Sequence, residues 1–579
     1  MILKLLKDYK KETICAPLFK MLEAIFELFV PLVIARMIDE GITGGNRPIV
    51  IRGAAWLLLL AVIGLTCSIR AQYYAAKAAI GASTLLRSSL YRKLMGLSFS
   101  QIESLGTDTM ITRLTSDVNQ VQNGINMTLR LFLRSPFIVF GAMIMAFTID
   151  AKAALIFAVT IPALSLVVYG IMVITMPMYK KAQAMLDSLL GTTRENLTGV
   201  RVIRAFAMEK EERAVFNDRN EALNSMQKNV GRISALMNPL TFVIVNAATL
   251  ILLYTGAVRV DEGVISRGSV VALINYMSQI LVELIKLANL IVLITRAMAC
   301  ADRIKKVLEI EGDEEELSLQ EDPFTESAPL SGAKKGLGIE FRNVGFSYNP
   351  GADEQALSDI SFSAPPGATV GIIGGTGSGK TTLVNMIPGF FFPTQGEVYI
   401  DGTPTADMPL RQLRSLCGTV LQKPVLFSGT IRENLLWGGS ATDEELTEAL
   451  KTAQAWDFVK NRKGGLDCEL HQGGRDLSGG QRQRLSIARA IVSKPPVIIL
   501  DDSSSALDYA TDAALRGALA RLHEEYAPTV FIVSQRTASL QHADLIVVLD
   551  EGRIAGMGTH DELLAGCDEY REIYDSQAG

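Results

Sequence analysis

The first half of this chain is dominated by apolar stretches long enough to cross a bilayer, and these constrain its fold more than any other feature. Six are read, at about 14–38, 53–75, 131–149, 152–176, 235–257 and 269–295. Each runs to roughly 20 residues, the length a helix needs to span the hydrocarbon layer. In lipid every backbone N–H and C=O must be satisfied within the segment, so the expectation is helices. Little more than "IDAK" separates the third stretch from the fourth, which predicts a tight hairpin. Long polar stretches join the second to the third and the fourth to the fifth. They carry Lys77, Arg87, Arg92, Lys93 and Arg113, then Lys180, Lys181, Arg194, Arg201, Arg204 and Lys210. With Lys4, Lys7, Lys10 and Lys11 at the N-terminus, these mark the cytoplasmic side by the positive-inside bias. An even number of spans then puts both termini in the cytoplasm and makes the chain a multi-pass protein of a cell membrane.

Composition agrees. Charged residues make up only 20% of the 579, and mean hydropathy is +0.25, which leans toward membrane. A net charge of −5 leaves no basic excess to neutralise phosphates, so no nucleic-acid partner is expected. The six cysteines lie far apart with no C-x-x-C pair, which argues against a disulfide or zinc framework. No cleavable signal peptide is expected at the basic N-terminus.

After Ile310 the texture changes. Residues 1–310 read as the membrane domain. Residues 311–336, containing "EGDEEELSLQEDPFTESAPLSGAKKG", read as an acidic linker without periodicity. From 337 to 579, short strand patterns alternate with helices, as in a soluble α/β domain. "IEFRNVGFSY" and "EVYIDG" read as strands, and "VGIIGGTGSGKTTLVNMI" as strand, loop and helix.

That last stretch carries the strongest local signal. Gly374, Gly375, Thr376, Gly377, Ser378, Gly379, Lys380 and Thr381 fit G-x-x-x-x-G-K-[ST], and Thr382 continues into the helix. Glycines let successive N–H groups turn toward phosphates, and the helix start adds a favourable dipole. Lys380 is the candidate for the β/γ-phosphates of ATP, and the Thr381 hydroxyl for Mg²⁺. Asp501, closing the apolar run "VIIL", is the second Mg²⁺ candidate.

"LSGGQRQRLSIARA" begins with a Ser-Gly-Gly loop opening a basic helix, itself an anion-binding design. It resembles the signature of ATP-binding-cassette (ABC) proteins. The order phosphate loop, Gln422 ("VLQKP"), signature, Asp501, Asp508 ("SALD") and Gln535 ("FIVSQR") is also that family's. The resemblance covers the whole chain and implies an ABC exporter half-transporter: a membrane all-α six-helix exporter domain plus a soluble α/β P-loop NTPase cassette. "RLTSDVNQVQ" and "ENLTGVRVIRAF" look like its two cytoplasmic coupling segments. The resemblance further implies that Tyr348 stacks on adenine and that Gln422 senses Mg²⁺ and the γ-phosphate. Leu477, Ser478, Gly479, Gly480 and Gln481 would cap the nucleotide held by an opposite cassette, and Asp508 would belong to the loop linking the two sites.

Two positions depart from the family pattern. Asp502 stands where a catalytic glutamate is expected, and Gln535 where a histidine is expected. Aspartate sets its carboxylate about 1.5 Å farther back, and small misplacements of a base cost orders of magnitude. Glutamine cannot carry the charge of an imidazolium. The expectation is a site that binds ATP and hydrolyses it slowly, beside an intact signature that serves the other site. This makes the chain the degenerate-site subunit of a heterodimer of the bacterial multidrug-exporter type, with amphipathic small molecules or peptides as cargo. The alternatives are a homodimeric lipid or peptide transporter of the same fold, and a nucleotide-gated regulatory subunit.

Cargo chemistry is less legible. Asn275, Gln279, Glu283, Lys286 and Asn289 form one helical stripe in the sixth span, and Lys20, Glu23 and Glu27 another in the first. A charge at mid-membrane costs roughly 2.5–3.5 kcal/mol on insertion scales, so these side chains should face the bundle or a wet cavity. They line a cavity for amphipathic or cationic molecules, or they pair locally as Lys20–Glu23 and Glu283–Lys286. Met143, Met145, Met172 and Met176 offer either an adaptable apolar surface or packing filler.

Overall fold

The computed structural model describes residues 5–310, 335–348 and 355–578. Lys4 and almost all of the acidic linker lie outside the described residues. The chain divides into two compact units, one of Met1–Met95 with Asp108–Ile310, the other of Gly96–Thr107 with Glu311–Gly579.

The first unit is helical. Its long helices are α1 (Lys10–Arg36), α2 (Arg47–Met95), α3 (Arg134–Ile149), α4 (Ala151–Thr198), α5 (Met237–Asp261) and α6 (Arg267–Leu308). Among the described residues five helical stretches, Arg47–Met95, Thr107–Ile149, Ala151–Thr198, Glu209–Asp261 and Arg267–Leu308, are long and apolar enough to cross a membrane. The first expected span falls on α1, which carries Lys20, Glu23 and Glu27 along its middle and is not among those five. The hairpin forms at Asp150. Its carboxylate accepts the Ala153 N–H at 3.1 Å as the cap of α4 and pairs with Arg259 of α5 at 2.6 Å.

The core of this unit sets alanines among large side chains such as Phe157, Leu252 and Met277. Ala24 and Ala35 of α1, Ala142 and Ala146 of α3, Ala153 of α4, Ala248 of α5 and Ala272 of α6 are all buried in one cluster. Small side chains let helix backbones approach closely, the main source of packing energy where lipid competes as an apolar solvent. Tyr276 of α6 is fully buried and donates its hydroxyl to the Leu28 carbonyl of α1 at 2.6 Å. Met143 and Met145 pack partly buried against this cluster.

Among its described residues the second unit holds two larger sheets and a two-stranded ribbon of Gly429–Thr430 with Glu469–Leu470. A four-stranded one runs β2 (Leu357–Ala364), β1 (Ile339–Phe346), β4 (Gln395–Ile400) and the short edge Thr403–Pro404. The six-stranded one comprises β3 (Thr369–Gly374), β5 (Cys417–Val420), β6 (Val497–Asp501), β7 (Thr529–Val533), β8 (Leu545–Asp550) and β9 (Arg553–Gly558). Its order is β9-β8-β3-β7-β6-β5, with only the β8–β9 pair antiparallel. Strands of a parallel sheet covered on both faces read as continuous apolar runs, and every residue of β6 is buried. Because β3, β7 and β6 are neighbours and parallel, three chain segments leave the sheet at one edge. They are the loop after Gly374, Asp501 with Asp502, and Ser534 with Gln535. Ligands of open α/β sheets bind at that carboxyl edge.

The segment Gly96–Thr107 belongs to this second unit although its sequence lies within the membrane half. Its short helix Phe99–Leu105 is closed by a capping box of Ser98 and Gln101. The Phe99 ring stacks on Phe390 at 5.6 Å and meets Phe391 edge-on at 5.8 Å.

Candidate nucleotide site

β3 delivers the chain into the glycine-rich loop, and α7 (Lys380–Asn385) takes it away. Two glycines have no substitute. A Cβ on Gly374 would lie 2.0 Å from the Leu549 carbonyl oxygen. Gly379 has φ +94°, and a Cβ there would lie 2.6 Å from Leu357 Cδ2. Gly375, Thr376 and Gly377 are exposed, while Ser378 is buried. The loop wraps the Lys380 ammonium, which donates to the carbonyls of Gly374 at 3.0 Å and Gly375 at 2.6 Å. Burial pushes the Lys380 pKa down, opposed by the negative charges of Asp502 and Asp501.

Thr381 and Asp501 meet across the sheet edge, the hydroxyl donating to Asp501 Oδ1 at 3.0 Å. Asp501 is buried, and its pKa is pushed up to about 6. Burial is the main cause and the nearby Asp502 charge adds to it, against the Thr381 hydrogen bond and the Lys380 charge. Two hard oxygens side by side, one a desolvated carboxylate lacking a full counter-charge, fit a small divalent cation such as Mg²⁺.

Tyr348 stands over the start of α7, with its hydroxyl 2.8 Å from the Thr382 hydroxyl. Its ring meets Phe346 and Phe391 edge-on and stays 54% exposed, which leaves a face for a flat ligand. Gln422 lies just beyond β5 and is exposed.

Asp502 and Gln535 line the same cleft, of about 630 Å³. Asp502 takes a left-handed backbone conformation, φ +46°, with its N–H bonded to the Val533 carbonyl at 3.1 Å. Gln535 is exposed. Its loop is held from behind by Gln577, near the end of helix α10 (Asp568–Ala578). Gln577 Oε1 accepts from the Thr537 N–H at 2.9 Å and the Thr537 hydroxyl at 3.1 Å, while its Nε2 donates to the Gln535 carbonyl at 2.6 Å. Motif reading misses Gln577, because no local pattern says that a C-terminal glutamine returns to this loop.

The Ser-Gly-Gly segment opens α8 (Gly479–Ile491). Ser478 Oγ accepts the Gln481 N–H at 3.2 Å, and the Gln481 side chain accepts the Ser478 N–H at 3.1 Å, a capping box. Leu477 is buried, and Asp476 before it is tied to Arg462 at 2.9 Å. Gly480 lies against Ala506, whose carbonyl oxygen a Cβ would approach to 2.9 Å. Among the described residues no hydrogen bond joins Leu477–Gln481 to the phosphate loop. Asp508 caps helix α9 (Tyr509–Tyr526), accepting from the Thr511 N–H at 2.8 Å.

A phosphate loop backed by a hydroxyl–carboxylate pair, in a chain with membrane-crossing helices, defines a membrane-embedded nucleoside triphosphatase. Comparison with known proteins gives its family. Residues 13–284 match the ABC transporter transmembrane region, and residues 357–505 match the ABC transporter family. The chain is 37% identical over 579 residues to the uncharacterized ABC transporter ATP-binding protein YfiB of Bacillus subtilis, covering 100% of this chain and 98% of that one. It is 31% identical over 595 residues to the putative multidrug export ATP-binding/permease protein YgaD of the same organism, covering 99% and 98%. It is also 31% identical over 554 residues to an ATP-dependent lipid A-core flippase of Bordetella avium, covering 94% and 90%. In structure it is similar to a bacterial Atm1-family ABC exporter with ATP bound, at TM-score 0.78, 22% identity and 98% coverage of both chains. The chain belongs to the ABC transporters: it is a membrane protein with the ABC exporter fold and an ATPase cassette on the same polypeptide.

Proposed function

We propose that this chain is one subunit of a heterodimeric ATP-driven exporter, holding ATP at a degenerate site of its own and completing its partner's hydrolytic site with its signature. One observation carries the reading. The cleft that gathers the hydrolytic positions presents Asp502 and Gln535, while the loop at Ser478–Gln481 is intact and capped. A homodimer would combine two weakened bases with two sound signatures. A heterodimer uses both. Amphipathic or drug-like molecules are the cargo, moved outward across a cell membrane, with both termini and the cassette in the cytoplasm. The names of the multidrug-export and flippase relatives support that range.

In this reading Tyr348 receives adenine, residues 374–382 cradle the phosphates and Lys380 turns from its loop carbonyls to the β/γ-phosphates. Thr381 and Asp501 hold Mg²⁺, with Gln422 toward it and the γ-phosphate. The ion's contribution, when bound, is to neutralise charge developing on the phosphate oxygens. Asp502 can accept a proton from water but reaches less far than glutamate, and Gln535 can only hydrogen-bond the γ-phosphate. Binding chemistry is complete and hydrolytic chemistry is reduced.

The test is to tag the chain, purify it from its native membrane, identify any stoichiometric companion and compare ATPase activity of the pair with that of the chain alone. The expected result is an active pair and a nearly inactive single chain. Robust turnover by the purified single chain would establish the homodimer instead.

A further inference from the structure

Of the loops that leave the carboxyl edge of the six-stranded sheet, two are joined by one cation. Arg536, next to Gln535, sets its guanidinium 4.7 Å from the centre of the Tyr509 ring and donates from Nη1 to the Leu507 carbonyl at 3.4 Å. Its backbone N–H donates to Ser534 Oγ at 3.0 Å, and that oxygen lies 3.3 Å from Ser504 Oγ. Among the described residues Arg536 forms no ion pair, so the ring and the carbonyl are what hold its charge in place. Two further ties run beside it. Ser539 Oγ donates to Asp512 Oδ2 at 3.1 Å, and Arg516 Nη1 donates to the Ala538 carbonyl at 2.9 Å. The loop carrying Gln535 is thereby fastened along the first two turns of α9.

The residues just before α9 reach further. The run from 502 to 508 begins in the cleft with Asp502 and ends at Asp508, the cap of α9. Between them, Ala506 and Leu507 support the start of α8. A Cβ on Gly480 would lie 2.9 Å from the Ala506 carbonyl oxygen and 3.8 Å from Leu507 Cδ2. Leu507 is buried, so it cannot shift without disturbing its neighbours. Its carbonyl faces Arg536 and its side chain faces Gly480. A path of direct contacts thus runs from the Gln535 loop, where a γ-phosphate is expected, through Arg536 and Leu507 to the Ser-Gly-Gly segment.

We propose that Arg536 is a positioning residue that sets the signature start of this chain from the loop that meets this chain's own nucleotide. It acts through Leu507 and Tyr509. The proposal rests on the heterodimer reading above and adds a regulation to it. A site that retains ATP and hydrolyses it slowly keeps the Gln535 loop engaged, and Arg536 then holds Gly480 in register for the nucleotide of the opposite cassette. The degenerate site thereby governs the rate of the sound one. Arginine suits this task, because its planar guanidinium covers a ring face while an N–H at its edge still points to a carbonyl.

The experiment uses the full chain, with any companion it purifies with, in nanodiscs. Steady-state ATPase is measured against MgATP concentration, and hydrogen exchange is followed over residues 477–481 and 503–509 without nucleotide. Arg536→Gln should speed exchange over both segments about threefold, the scale of one cation–π contact. It should lower kcat about tenfold, as small misplacements of a group do, while KM and ATP photolabelling of this chain stay within about twofold. Tyr509→Leu should act in the same direction, and Tyr509→Phe, which keeps the ring face, should restore wild-type behaviour. These two keep the test decisive if Arg536→Gln does not fold. Unchanged exchange over 477–481 in both Arg536→Gln and Tyr509→Leu, or faster exchange with kcat unchanged, overturns the positioning role. Loss of photolabelling in step with kcat would make Arg536 a nucleotide-binding residue and also overturns it. If the single chain turns over robustly, the heterodimer reading falls, and kcat and exchange of Arg536→Gln in that single chain still decide the positioning role.

Discussion

Gln577 Nε2 donates to the backbone carbonyl of Gln535 at 2.6 Å, so the last described helix of the chain grips the loop that carries a candidate γ-phosphate contact. The other end of the same amide accepts from the Thr537 N–H and hydroxyl. The loop is thus held on both sides of Arg536.

Replacing Gln577 by alanine should free that loop. Losing the clamp removes roughly 1–2 kcal/mol of local stability, which should speed hydrogen exchange about tenfold over residues 534–538 of the full chain. Gln577→Glu keeps the acceptor for Thr537 and loses the donor to Gln535, so it should fall between wild type and alanine. Unchanged exchange in Gln577→Ala would show that α10 holds the loop by other contacts.

Gly480→Asp should cripple ATP turnover of the assembled transporter by at least about tenfold, because the new side chain meets the Ala506 carbonyl and puts negative charge where a γ-phosphate is expected. Ser478→Ala also removes the cap of α8, worth about 1 kcal/mol. The matching changes in a partner chain should cost less. Steady-state ATPase measured on each singly mutated pair decides it, and near-wild-type turnover with Gly480→Asp would refute the proposed division of labour.

Asp502→Glu combined with Gln535→His should raise hydrolysis at this chain's own site, while transport need not rise. The backbone at Asp502, φ +46°, tolerates aspartate better than most residues, so the longer glutamate should bring a local cost of about 1 kcal/mol. Lys380→Ala should instead lower ATP occupancy. Photolabelling with an ATP analogue and counting trapped nucleotide per separated chain reads both effects. No labelling of the wild-type chain at millimolar ATP would contradict a holding site.

Acid should loosen the segment just before the signature. Burial raises the Asp476 pKa, but hydrogen bonds from Arg462 and the His471 N–H outweigh it and hold the carboxyl below the usual aspartate range. A depressed folded pKa means that the stabilisation is fully present above the unfolded value of about 3.9 and is lost as pH falls through the lower folded value. Asp476→Asn should therefore lower thermal stability at pH 7 by about 1–2 kcal/mol, and the gap to wild type should close below about pH 4. Melting curves of both proteins from pH 7 to 3 give the comparison, and a gap independent of pH would dismiss the ion pair as its cause.

What could be read from the sequence was what neighbouring residues encode. The phosphate loop, the capped Ser-Gly-Gly helix start and the strands β1, β4 and β6 each lie in one short run, where periodicity and glycine placement are local properties. The pairs Lys20–Glu23 and Glu283–Lys286, one turn apart, form at 2.6 and 2.8 Å, as helical spacing allows. Arg134 entered no expectation, because its partners Glu27 and Glu283 come from helices far away in sequence and spacing carries no information about them. Gln577 escaped for the same reason. α1 shows the opposite limit: its length suggests a span, while the charges along it are paired partly within the helix, Lys20 with Glu23, and partly by Arg134, which only folding brings to Glu27.

The place of Gly96–Thr107 has a practical consequence for anyone isolating the cassette. A fragment beginning after the linker would carry every nucleotide-binding motif, yet it would lack Phe99, and Phe390 and Phe391 would lose the ring that meets them. Those aromatic faces would be turned to water, inviting self-association. ATPase or binding constants measured on such a piece would describe a cassette that lacks the Phe99 contacts of the intact polypeptide. The cassette is a discontinuous object, and its closing part is encoded inside the membrane half of the gene.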